Sequence, residues 1–438
     1  MAEPIIGARV PRANGLANLT GATRFVDDVV LPGTLWVKVA RSPVHKGVVR
    51  HLDLSAAERA PGVVATLTAN DVPNNHYGMG GELVVLNNEA LRYRGEPMVA
   101  VAAESEDAAQ EAADRIRMDI EEQEPVFDPF QAMQPGAPRV SPRGNFLLWG
   151  DQPCRRVALG DVEAGFRAAD LIVEGEYRQP AVKHAQLEPH VSLAVPDAGG
   201  ALTIYTCNQS PYLALGSLAS ILRMPASRLH LVAGTVGGGF GGKNDIYGDH
   251  IVALLAMKTG RPVKYRWTRA EDLIYSTHRG MYHMYVKDGV TGDGRIVARY
   301  LRTIHDCGAY GGTNQGVLEK HSAMGAGPYY IPNVLIEAYG ILTNHPRAGA
   351  MRGFGVTASN FAIEVQMDRI AGQLGLDPWE IRLKNALRRG DQMPGCVLEQ
   401  VAAIEVMQAV AARAGITLPT HLQAMSSTQG RDSDEGAR

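Results

Sequence analysis

The sequence predicts an α+β protein of two domains joined by a proline-rich connection, and three observations carry that prediction. Short strand-like runs and one capped helix fill residues 18–128. Pro125, Pro129, Pro135, Pro138 and Pro142 then erase all periodicity, so residues 129–155 are assigned to a linker expected to wrap a surface. A longer mixture of strands and helices occupies residues 156–415. A chain of 438 residues suits two or three domains and permits a large buried core.

In chain order, Leu35-Trp36-Val37-Lys38-Val39 and Pro97-Met98-Val99-Ala100-Val101 have the apolar, β-favouring composition of strands. Ser105 is an N-cap, and Glu106 and Asp107 place negative charge in the first turn of an alanine-rich helix. Asp161 caps a short helix ahead of a strand over 171–177. Ser210-Pro211 supplies a cap and a first-position proline to a helix that aligns Leu215, Leu218 and Leu222. A strand over 228–233 leads into the glycine-rich run Val236 to Asn244, and a helix containing Ile251, Val252, Leu254 and Leu255 follows and stops at Gly260. Strands near 281–286 and 296–304 flank the turn Gly292-Asp293-Gly294. Asp377-Pro378-Trp379-Glu380 opens a later helix, and an alanine-rich helix is predicted over about 399–413. The tail, residues 416–438, is rich in Ser, Asp and Gly beyond Ser426 and is expected to be disordered.

The net charge of −3 offers no basic field for phosphate backbones, which argues against nucleic acid as a partner. Cys154, Cys207, Cys307 and Cys396 are too dispersed for a C-x-x-C zinc or iron-sulfur clamp, and a reducing compartment is the simpler reading. The N-terminus lacks a basic segment followed by an apolar run, and no apolar stretch approaches membrane-spanning length. A cytoplasmic location is therefore expected.

The stretch V-G-G-G-F-G-G-K-N matches two phosphate-loop patterns, and each fails where its chemistry is strictest. A Walker loop needs Ser or Thr after its lysine to reach magnesium, but Asn244 stands there. The dinucleotide fingerprint wants an acid about twenty residues on to hold the ribose, and residues 260–265 contain none. A purely structural turn is the third reading. Five glycines around one aromatic are hard to attribute to packing alone, because each loses extra backbone entropy on folding. A row of exposed N–H groups near a helix start is a good seat for an anionic or oxygen-rich ligand.

Three further stretches accompany this loop: Cys207-Asn208-Gln209-Ser210-Pro211, Leu318-Glu319-Lys320, and the run His345-Pro346-Arg347 to Arg352-Gly353-Phe354-Gly355. In this order and spacing the chain resembles the molybdenum hydroxylase family, that of xanthine dehydrogenase and aldehyde oxidase. The resemblance runs from Gly21-Ala22-Thr23-Arg24-Phe25 through Asp377-Pro378-Trp379-Glu380-Ile381-Arg382. It implies an N-terminal α/β hammerhead domain followed by the first molybdopterin-binding α+β domain. It also implies a molybdenum-molybdopterin cofactor, in bacteria often the cytosine dinucleotide form, whose dithiolene carries the metal. No protein ligand to the metal is then needed.

By this resemblance Gln209 would donate to an oxygen ligand of the metal, Gly238, Gly239, Phe240 and Gly241 would line the pterin and metal centre, and Arg352 would lie against it through its backbone. Asn244, Lys320 and Phe354 match positions that are an acid, an arginine and a ring-stacking phenylalanine in purine-oxidising relatives. Only the phenylalanine is retained. Phe354 suits a flat aromatic substrate, and Lys320 suits a carboxylate or developing negative charge. The implied substrate is N-heteroaromatic, nicotinate- or purine-like, with an aromatic aldehyde as the alternative. The bland readings are a helix cap for Gln209, a core position for Phe240 and a surface ion pair for Arg352. His184 to His190, H-A-Q-L-E-P-H, is read as a structural turn in preference to a metal site.

The family's general base is a glutamate in a glycine-containing motif. Glu399, Glu405 and Glu435 lack that context, so no base is assigned. The layout is similar to the large molybdopterin subunit of split enzymes such as nicotinate dehydrogenase. That implies a second molybdopterin subunit supplying the glutamate, with iron-sulfur and FAD subunits carrying electrons away. A catalytically silent scaffold is the non-enzymatic alternative.

Overall fold

The computed structural model describes residues 6–428. Its contacts divide the chain into two compact units of interleaved segments, residues 1–122 with 184–276 and residues 123–183 with 277–438.

The first unit is built on a seven-stranded mixed sheet, ordered Leu229–Ala233, Leu202–Thr206, Val191–Pro196, Val263–Arg266, Leu35–Arg41, Pro97–Ala103, Val63–Leu67. Its two halves meet through the parallel pair Leu35↔Val263, so segments from both sides of the proline-rich stretch complete one sheet. Two small sheets are private to the N-terminal segment, one of Gly47–Asp53, Ala90–Leu91 and Arg117–Glu122 and one of His76–Tyr77 and Leu83–Val84. The helix Asp249–Thr259 has every residue from Ile251 to Ala256 buried, which explains why its sequence is apolar all round rather than striped. Burying each such Leu, Ile or Val contributes about 2 kcal/mol. Gly260 ends the helix in the left-handed region, as its sequence position predicts.

The second unit holds a five-stranded sheet, ordered Leu171–Gln179, Tyr282–Val290, Ile296–Gly308, Val334–Leu342, Arg155–Leu159. The expected hairpin is present, its strands antiparallel from Tyr282↔His305 to Val290↔Ile296. Alternate residues of Leu171–Gln179 are buried, and Ala358, Ala362, Met367 and Ile370 of the helix Val356–Leu374 join the same core. Arg299 and Asp288 are fully buried and joined by two hydrogen bonds of 2.7 and 3.0 Å, a fork geometry that ties neighbouring strands in one register.

The predicted caps at Ser105, Asp161 and Asp377 each accept a backbone N–H of their helix. Three expectations are corrected. The proline-rich stretch is not merely draped over a surface. A short helix, Pro129–Ala132, forms within it, and buried Asn145 links Ala132, Pro138 and Val140 through its side chain. The last long helix is Ala403–Arg413, starting later than predicted. The tail is packed as far as it is described: Leu418, Leu422 and Ser427 are buried, with Leu418 and Leu422 against Ile404. Residues 429–438 of the expected disordered tail lie outside the described residues.

Candidate functional site

Between the strand ending at Ala233 and the helix beginning at Asp249 the chain forms an irregular loop that carries the glycine cluster. Packing explains more of these glycines than the sequence suggests. A Cβ on Gly237 would stand 2.5 Å from Cβ of Glu188, one on Gly239 would stand 2.3 Å from Oε1 of Gln209, and one on Gly242 would meet the His184 ring at 2.9 Å. Gly238 and Gly241 are needed for another reason, since their φ angles of 95° and 100° lie where side chains are strained. Phe240 itself sits at φ 53° with its side chain about half exposed at 47%, so it is not a core residue.

Gln209 closes the loop from the opposite side. Its Oε1 accepts the N–H groups of Gly241 at 3.0 Å and Lys243 at 3.2 Å, and its own N–H donates to the Lys243 carbonyl at 2.8 Å. Spending the amide oxygen on two donors fixes the flip of the side chain and leaves the NH2 group as a free donor. Gln209 does not cap the helix Pro211–Leu222. Nor does Ser210, the expected cap: its hydroxyl donates to Oδ1 of Asn244 at 3.1 Å, while Asn208 Oδ1 accepts the Ser210 N–H at 2.6 Å. Asn208 also donates to the carbonyls of Asn244 and Asp245, so C-N-Q-S-P and the glycine loop are laced together. Burial pushes the neighbouring Cys207 thiol up to about 11, far from a reactive thiolate.

Both phosphate-loop patterns fail here for structural reasons. The Lys243 side chain is wholly buried, and its Nζ lies 2.5 Å from Glu188 Oε2, so it cannot reach out to a phosphate. The strand Val263–Arg266 is not adjacent to Leu229–Ala233, so the strand, loop and helix do not form the tight βαβ turn of a dinucleotide site.

The remaining candidates lie in the second unit. Phe354 is held at φ 47° between Gly353 and Gly355, both at φ 94°. The turn closes through Phe354 N–H to the Met351 carbonyl at 2.7 Å and leads into the helix Val356–Leu374. His321 on the helix Asn314–Ala323 anchors it, with Nδ1 3.0 Å from the Gly355 carbonyl and Nε2 2.8 Å from Thr303 Oγ1. A Cβ on Gly316 would touch the Phe354 ring at 3.5 Å. Gly316 and Lys320 are four residues apart on that helix, so exposed Lys320 and Phe354 share one face of it. Arg352 is exposed and accepts a hydrogen bond at its carbonyl from the Arg279 guanidinium. It makes no ion pair among the described residues. The structure thus gathers Gln209, Gly238, Gly239, Phe240, Gly241 and Asn244 in one unit and Lys320, Arg352 and Phe354 in the other.

The sequence reading missed that Glu188, Lys243 and His190 hold the glycine loop. His190 places its ring nitrogens 2.7 Å from Asp272 Oδ1 and 3.1 Å from the Gly242 carbonyl. The sequence carries no strand signal here: polar residues alternate through 184–190, but the segment is irregular, with Ala185 at φ 48° and a bend at Leu187-Glu188.

A glycine loop held by side chains, with a free amide donor beside it, offers hydrogen-bond donors to an organic ligand rich in acceptors. Comparison with known proteins gives that ligand's class. The aldehyde oxidase and xanthine dehydrogenase a/b hammerhead domain matches residues 20–124, and the molybdopterin cofactor-binding domain matches residues 149–386. The chain is 35% identical to a probable xanthine dehydrogenase subunit of Bacillus subtilis over 87% of its own length and 51% of that protein's. It is 33% identical to the nicotinate dehydrogenase large molybdopterin subunit of Eubacterium barkeri, over 92% of this chain and 95% of that one. Among solved structures, the aldehyde oxidoreductase from Desulfovibrio gigas superposes with a TM-score of 0.86 at 28% identity, covering 92% of this chain and 46% of that one. The chain belongs to the aldehyde oxidase and xanthine dehydrogenase family, with the hammerhead and molybdopterin-binding domains in that order.

The loop fits a molybdopterin. Among the described residues the N–H groups of Gly238, Gly239 and Phe240 make no hydrogen bond, and the Gln209 side chain lies against Gly239. No group of three His, Cys, Asp or Glu among the described residues could hold a metal ion.

Proposed function

We propose that this chain is the large molybdopterin subunit of a multi-subunit molybdenum hydroxylase acting on an N-heteroaromatic substrate, nicotinate- or purine-like. The observation that carries the reading is Gln209, whose oxygen is fixed on the glycine loop so that its NH2 is left to donate. The extended likeness to the Eubacterium barkeri subunit supports a split enzyme, and the names of that relative and of the Bacillus subtilis one both specify N-heteroaromatic substrates. The bound molybdenum centre would supply two-electron oxidation, with water as the oxygen source.

The residues of this chain bind and orient. The N–H groups of residues 238–240 and Gln209 would hold the cofactor, in its cytosine dinucleotide form, and Arg352 would border it through its backbone. Phe354 would stack on a flat ring, Lys320 would take a carboxylate, and Asn244 would replace the acid of purine oxidisers with a neutral amide. A second molybdopterin subunit would supply the glutamate base, and iron-sulfur and FAD subunits would remove electrons, in the cytoplasm. The sequence domains 18–128 and 156–415, with their linker 129–155, belong to the same proposal. No helix among the described residues is long and apolar enough to cross a membrane.

The test is co-purification with the products of neighbouring reading frames, followed by molybdenum and pterin analysis and a dye-reduction screen of nicotinate, purines and aromatic aldehydes. Turnover of aldehydes alone would establish the alternative that the Desulfovibrio gigas likeness favours. Molybdenum without any turnover would establish a silent scaffold. Gln209→Glu keeps both acceptor contacts but loses the donor, and turnover is expected to fall about 100-fold with folding unchanged.

A further inference from the structure

We infer that residues 184–190 are a clamp that positions the glycine loop, with the buried Glu188–Lys243 pair as its lock. Four alternating side chains bear on the loop. The His184 ring lies against Gly242, the Gln186 Cβ is 3.2 Å from where a Gly238 side chain would begin, Glu188 grips both ends, and His190 faces the Gly242 carbonyl. Glu188 binds the loop through three contacts: its N–H donates to the Gly237 carbonyl at 3.0 Å, and its Oε2 accepts the Gly237 N–H at 2.8 Å and the Lys243 ammonium at 2.5 Å. Residues 237 and 243 are thereby fixed to one carboxylate, and the segment between them, with Phe240 at its crest, is held in an arch. The clamp is itself braced. Buried Asp272 receives His190 at 2.7 Å, Gln186 at 2.8 Å and Arg269 at 2.7 Å, and Arg269 also donates to the Leu187 carbonyl at 2.8 Å.

Fold stability is a poor explanation for this lock. Glu188 Oε1 is buried without a hydrogen-bond partner among the described residues, so the carboxylate is only half satisfied. Desolvating an ion pair usually cancels its attraction, and apolar residues of similar volume stabilise as well or better. What apolar residues cannot do is hold the Gly237 N–H and the Lys243 ammonium on one oxygen. Glu188 and Lys243 are therefore positioning residues.

The double variant E188M/K243M separates the two roles, because it removes both charges without leaving either buried alone. Hydrogen exchange is read on the unaltered chain and the variant, and bound pterin on each co-purified with its partner subunits. In the variant, peptides covering 237–244 are expected to exchange at least about tenfold faster, while peptides of the strands Val191–Pro196 and Leu202–Thr206 are unchanged. Retained pterin is expected to fall at least about tenfold, and this second readout alone rests on the cofactor reading. Unchanged exchange at 237–244, or acceleration spread over the whole sheet, would overturn the clamp. Absence of pterin from the unaltered complex would overturn the cofactor reading, with the exchange pattern still deciding the clamp.

Discussion

Two phenylalanines in this chain occupy the same backbone state for different ends. Phe240 and Phe354 both sit near φ 50° between glycines. Phe240 rides on a loop suspended from Glu188 and Gln209, about half exposed, with unspent N–H groups beside it. Phe354 rests on the helix Asn314–Ala323 and the core behind it, and its turn leads directly into a 19-residue helix. The first turn is shaped by side chains reaching to it and the second by packing beneath it. Equal backbone strain therefore carries unequal structural weight: the second turn is part of the fold, while the first is held by the fold.

The largest test of that contrast is a glycine in each turn. In Gly355→Ala the new Cβ meets the Val317 carbonyl at 2.3 Å with φ at 94°, and a loss of about 3 kcal/mol is expected in urea unfolding. Gly238→Ala has the same kind of φ but meets only side chains at 3.2 Å or more, so about 1 kcal/mol is expected. Equal losses would erase the distinction.

Acid gives the next effect. Burial pushes His321, the anchor of the Phe354 turn, down to about 4. Between pH 6.5 and 4 the unfolded chain binds a proton that the folded chain refuses, so stability falls as pH falls through that window. The expected loss is up to about 3 kcal/mol from this residue. Urea unfolding at pH 7 and pH 4.5 measures it, and His321→Gln should remove that part of the acid sensitivity.

Smaller effects come from the rings. Phe354→Ala is expected to lower stability by about 2 kcal/mol and raise the KM for an aromatic substrate. Phe240→Gly removes an exposed ring from a left-handed position, so stability should stay level or rise by about 1 kcal/mol while retained pterin falls. A large loss of stability in Phe240→Gly would show that the loop is structural after all.

Much of this was legible in the sequence because it is written locally. Capping acts within a few residues, so Ser105, Asp161 and Asp377 were found where they act. Apolar residues and glycine stops located the helices Pro211–Leu222 and Asp249–Thr259 and the hairpin for the same reason, whereas the helices Asn314–Ala323 and Val356–Leu374 were not assigned. Where a second claimant existed, local reading failed: Ser210 has the composition of a cap, but its hydroxyl is taken by Asn244, 34 residues away. The packed tail was missed because its few buried residues, Leu418 and Leu422, lie among small and polar neighbours.

By itself the sequence determined the cofactor class and the short motifs that would meet it, since each motif is a run of residue types needed at adjacent positions. Only the tertiary structure decided how those motifs are held. Glu188 and Lys243 are 55 residues apart, and Gln209 and Gly241 are 32 apart. Contacts at such separations leave no period or cap behind them, because they depend on where folding brings two segments rather than on what either segment prefers alone.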